Sequence, residues 1–146
     1  MNADEAAIRA VLEERAAAIR DKDAARAVAT LAPDVVAFEL APPLSLGPDA
    51  ARDGAGLSAW LSGWNGPVEI EIRDLHVEAS GDVGWCRSLN RLHGVLKDGR
   101  EVDMWMRSTL GFRKIAGAWK IAHGHSSLPF LMDGSYRAAT DLKPES

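Results

Sequence analysis

The chain has 146 residues, 47% of them hydrophobic and 26% charged, and its 17 basic and 21 acidic side chains give a formal net charge of −4. These proportions exclude a disordered chain and describe a globular one, with a length that fits a single domain over residues 1–146 and not two. The acidic balance argues against a nucleic-acid partner, which normally meets a basic surplus.

With one cysteine, Cys86, no intramolecular disulfide can form, and its apolar strand context predicts a buried, inert thiol. The start, Met-Asn-Ala-Asp-Glu, lacks a basic-then-apolar leader pattern. No apolar run approaches the ~20 residues of a membrane span. The expectation is a cytoplasmic protein with no membrane association.

Residues 4–20 read as a helix, with Asp4 as its cap and Ile8, Val11, Leu12, Arg15 and Ile19 at helical spacing. A second helix is predicted from about Asp23 to Leu31, stopped by Pro33. Val35 to Leu40 has strand composition. Pro42, Pro43, Gly47 and Pro48 mark a loop. A third helix is predicted over Asp49 to about Trp64, weakened by Gly54 and Gly56, with Leu57, Trp60, Leu61 and Trp64 as its buried face.

After Pro67 the chain reads as sheet. Val68, Ile70 and Ile72 alternate with Glu69, Glu71 and Arg73. Turns at Ser80-Gly81-Asp82, Lys97-Asp98-Gly99 and Ala116-Gly117 separate strands Val83–Leu96, Arg100–Lys114 and Trp119 to about Ser127. The tail beyond Met132 reads as loop or short helix. Helices first and an antiparallel meander afterwards define an α+β arrangement. Strands far longer than the usual 5–6 residues must twist and bend. They can wrap into a cone that the three helices close, leaving a pocket.

The run Trp105-Met106-Arg107-Ser108-Thr109-Leu110-Gly111-Phe112-Arg113-Lys114, followed by Gly117-Ala118-Trp119-Lys120-Ile121-Ala122-His123-Gly124-His125-Ser126-Ser127-Leu128-Pro129-Phe130, resembles the last hairpin of NTF2-like proteins. It is also similar to the association domain of calcium/calmodulin-dependent kinase II. The resemblance extends to Asp34-Val35-Val36, Pro42-Pro43-Leu44, Gly81-Asp82-Val83 and Asp141-Leu142-Lys143-Pro144, hence over most of the chain. It implies an NTF2-like cone of the SnoaL-like, ketosteroid-isomerase-like type: three N-terminal helices packed on a strongly bent antiparallel sheet, assembled as a homodimer. The fold hosts isomerases, dehydratases, cyclases and non-enzymatic binders. Steroid isomerisation by an Asp base with Tyr and protonated-Asp donors finds no match here. The one tyrosine, Tyr136, lies in the tail, and only Glu39 on the first strand offers a base.

If Ala116-Gly117 is a two-residue turn, Phe112 faces Ile121, Leu110 faces His123 and Ser108 faces His125. One sheet face then carries Met104, Met106, Ser108, Leu110 and Phe112 with Trp119, Ile121, His123 and His125, the candidate concave face. A bulge near Gly124 would swap the faces beyond it.

His123 and His125, at i and i+2, point the same way and are the sharpest candidates for proton transfer near neutral pH, against the plainer reading of hydrogen-bonded core residues. No H-x-x-E-H or H-E-x-x-H spacing supports a metal site, and no cofactor is implied. Asp103 and Arg107, four apart on one strand, are candidates for acid–base and carboxylate-binding roles, or form an ion pair at a rim or interface. Asn90, Trp105, Ser108 and Trp64 complete the candidate ligand-binding set, although tryptophans are more often core residues than ligand platforms. The sequence thus predicts a small-molecule-pocket protein. It could be a cofactor-independent isomerase, lyase or dehydratase moving a proton on an apolar or carbonyl compound. The alternatives are a non-catalytic binder of a hydrophobic or carboxylate ligand and a structural dimerisation module.

Overall fold

The structure is a computed structural model that describes residues 2–145. Helix α1 spans Ala3–Arg20. Its cap is Asn2, whose side chain accepts from the Glu5 N–H at 2.8 Å, and not Asp4 as the sequence suggested. The Asp4 carboxylate instead accepts from Trp119 Nε1 at 3.2 Å and Lys114 Nζ at 3.4 Å, tying the helix start to the last hairpin. Helix α2, Ala24–Ala29, is capped by Asp23.

The first strand, β1, runs Leu31–Phe38, so it begins earlier than composition indicated and contains Pro33. A proline without an N–H is tolerated there because β1 lies at the sheet edge. The predicted third helix divides into α3, Pro48–Ala51, and α4, Gly54–Ser62. The Asp53 side chain captures the Gly56 N–H at 3.0 Å and starts a new helix. Trp64 falls just beyond α4.

Four strands follow: β2, Glu69–Ser80; β3, Val83–Val95; β4, Glu101–Ile115; and β5, Ala118–Ser127. The sheet order is β1-β5-β4-β3-β2. β2 through β5 form the expected antiparallel meander. β1 joins β5 in parallel, so the sheet is mixed. Ala116 and Gly117 both have positive φ, 51° and 82°, the geometry of a tight hairpin turn.

The helices pack on one face of this sheet. Near one end, Ile8 and Leu12 of α1 meet Leu31, Val35, Val77, Cys86, Phe112, Trp119 and Ile121. The approach is close: a Cβ on Gly84 would lie 2.8 Å from Ile8 Cδ1 and 3.1 Å from the Glu78 carbonyl. A second core joins Ala18, Ile19, Ala27, Leu61, Trp64 and Val68, with Ile70, Leu92 and Val102 against it. Cys86 is buried, and burial pushes its thiol up to about 11, so it stays protonated and inert. Among the described residues no helix is long and apolar enough to cross a membrane.

Candidate functional site

Between the two cores lies a cavity of about 670 Å³. Its walls are mainly apolar: Leu12 and Ile19 from α1, Val35 from β1, Ile70 and Ile72 from β2, Leu92 from β3, Met106 and Leu110 from β4, and Ile121 from β5. Seven charged or polar residues also line it: Arg15, Glu39, Asp53, Asn90, Arg91, Ser108 and Ser126.

The register places three of these. Ser88 is paired with Ser108, and Ser108 with Ser126, so a row of hydroxyls crosses β3, β4 and β5. Asn90 and Met106 form the next row. The Ser88 hydroxyl donates to Asn90 Oδ1 at 2.7 Å, leaving the Asn90 amide N–H groups to face other partners. Arg15 sits one turn from both Leu12 and Ile19. Its Nη1 donates to the Ala27 carbonyl at 3.0 Å and to Thr30 Oγ1 at 3.4 Å. Desolvation by burial lowers its pKa from the ordinary arginine value, and the Glu39 charge opposes that shift. Arginine stays cationic regardless.

His123 and His125 do not reach this cavity. Phe112 pairs with Ile121 but Gly111 pairs with His123, which leaves Ala122 unpaired as a bulge. One extra residue inverts the alternation. The inner face of β5 beyond the bulge is therefore Gly124 and Ser126, and the histidines stand on the convex face. There the Val36 carbonyl lies 2.6 Å from His123 Nδ1, the ring nitrogen placed to donate to it, and Phe38 meets His123 and His125 edge-on at ring-centre distances of 4.7 and 5.4 Å.

Asp103, Trp105 and Arg107 occupy the same convex face. Asp103 is bound side-on by Arg91 through two hydrogen bonds of 2.8 Å, which hold its carboxyl below the usual range. Arg107 Nε donates to Ser127 Oγ at 3.1 Å. Trp64, 3% exposed, belongs to the second core and does not line the cavity. Of the eight sequence candidates, the cavity thus receives Asn90 and Ser108. It also receives Arg15, whose signal was a charge within an apolar helical stripe. Among the described residues no cluster of three or more His, Cys, Asp or Glu could hold a metal.

His123→Asn is accordingly expected to remove a structural hydrogen bond, lowering stability by about 1–3 kcal/mol. Binding of a cavity ligand per folded molecule should be unchanged. Denaturant titration beside ligand titration checks both; weakened binding at unchanged stability would contradict this placement.

A five-stranded sheet curled around helices, with a cavity between two cores, is the architecture of the NTF2-like class. The SnoaL-like domain model matches residues 8–131, and the chain belongs to that family. An NTF2-like protein of unknown function from Pseudomonas putida KT2440 is 33% identical, with a TM-score of 0.83 over 97% of both chains. A candidate scytalone dehydratase from Novosphingobium aromaticivorans aligns over 98% of this chain and 95% of its own, at 14% identity and TM-score 0.77. A ketosteroid isomerase-like protein from Erwinia carotovora atroseptica aligns over 87% and 97%, at 21% identity and TM-score 0.70. These last two are similar in fold. No curated protein matches the sequence.

Proposed function

We propose that the protein binds a small, largely apolar molecule in the half-open cavity and moves a proton on it without a cofactor, as an isomerase, lyase or dehydratase. The observation that carries this reading is the cavity itself, apolar on most sides with a few convergent polar groups. Glu39, just past β1 on the cavity lining, takes the role of base, since neither histidine faces the ligand. The hydroxyl row and Asn90 orient the polar end of the compound. A non-catalytic binding domain is the second reading, favoured by the exposure of Glu39 to solvent. The unfilled cavity weighs against a purely structural module.

The working unit in this proposal is a homodimer joined through the convex sheet face. Support comes from the aromatic side chains left uncovered there, Phe38 and Trp85, 36% and 39% exposed, and from the prevalence of two-fold assembly.

Native mass spectrometry of the protein as purified tests both parts. The expected species has the mass of two chains and retains an organic molecule. On the compound so identified, Glu39→Gln should reduce turnover about 10²–10⁴-fold, the usual loss of a general base. Unchanged turnover in Glu39→Gln would remove Glu39 from the chemistry.

A further inference from the structure

We infer that the ligand of this cavity carries a carboxylate, and that Arg15 is the residue that anchors it. The inference rests on the reading of the cavity as a small-molecule site and deepens it.

Arg15 projects from α1 between Leu12 and Ile19, into the protein and not toward bulk water. An enclosed charge is costly unless something opposite meets it. Among the described residues no carboxylate is within ion-pair distance of Arg15; Glu39 acts on it only as a more distant charge. Its protein hydrogen bonds all leave from Nη1. Nε and Nη2, the two nitrogens that form the side-on fork of a guanidinium, have no hydrogen-bond partner among the described residues. That fork fits the two oxygens of a carboxylate bidentately.

The rest of the cavity selects the class further. Ile72, Leu110 and Val35 offer an apolar bed for the body of an organic acid. One guanidinium balances one negative charge. A phosphate monoester would bring close to two, and Glu39 on the same lining would oppose the excess. Arg91, the other arginine on the lining, has its guanidinium already held by Asp103 and Glu71 on the convex face.

Isothermal titration of the intact protein with 2-naphthoate, 2-naphthamide and 2-naphthyl phosphate at pH 7 tests the assignment. The carboxylate should bind about tenfold or more tightly than the amide. Arg15→Met should abolish that preference while leaving amide binding within about threefold. Arg15→Lys, which keeps the charge but not the fork, should retain part of it. Should Arg15→Met fail to fold, the wild-type ratio and the Arg15→Lys ratio still decide. Equal binding of carboxylate and amide would overturn the carboxylate anchor and leave the pocket reading standing. Tightest binding of the phosphate would overturn the choice of carboxylate. No binding of any of the three would overturn this inference together with the pocket reading.

Discussion

The double substitution Trp119→Ala with Ile121→Ala is expected to leave a chain that no longer melts cooperatively. Both side chains belong to the first core, where they are 5% and 2% exposed. Losing a buried tryptophan and a buried isoleucine costs about 5–10 kcal/mol together, comparable to the whole stability of a domain. Deletion of Ala122, the unpaired residue of the β5 bulge, is expected to do far less. Side chains on a strand alternate with a period of two, so Ile121 followed directly by His123 and Gly124 still runs in, out, in, and the pairings with Phe112, Gly111 and Leu110 are kept. Thermal melts by circular dichroism separate the two variants. A deletion variant without a cooperative transition would show that the bulge itself holds the strand in place.

Trp64→Ala is expected to lower unfolding free energy by about 3–5 kcal/mol, the range for emptying a buried aromatic site. The ring is 3% exposed and meets Trp60 edge-on at 5.4 Å. Its other side lies where a Cβ on Gly94 would be 3.0 Å from Cε3. The backbone carbonyl of residue 64, which accepts from Lys22 Nζ at 2.7 Å, survives the substitution, so the loss reports on the ring. Urea titration measures it. Ligand affinity per folded molecule should not change, and a loss confined to affinity would return Trp64 to the binding site.

The meander was legible because its strands are bounded by turn chemistry, which also fixes the hairpin register. Strand ends fall within a residue or two of where composition puts them: β3 at Val83–Val95 and β4 at Glu101–Ile115. The inner face of β4 was legible for the same reason. What a single sequence could not show was the one-residue surplus at Ala122. Nothing about alanine marks a bulge, and an Ile-Ala-His run reads as regular strand. That surplus alone moved His123 and His125 to the convex face. The parallel pairing of β1 with β5 was equally silent, because its register is set by packing across the sheet and by no local turn. Arg15 was visible but unremarked. A cation among Leu12 and Ile19 on the buried stripe of α1 is a local inconsistency, and such inconsistencies concentrate at functional sites.

The β1–β5 pairing also sets an order of events in folding. Leu31 meets Ile121, and Val36 meets His123, so the contact that completes the sheet joins one of the first segments made to one of the last. The hairpins of β2 to β5 are neighbours in sequence and can assemble on their own timescale. β1 and the two helices before it must wait, because loop-closure entropy delays contacts between distant segments. Arg15 and Glu39 lie on the waiting side of that seam, while Asn90, Ser108 and Ser126 lie on the other. The cavity, walled by β1 on one side of that seam and by Ile121, Gly124 and Ser126 of β5 on the other, is therefore complete only once β5 has been made and paired.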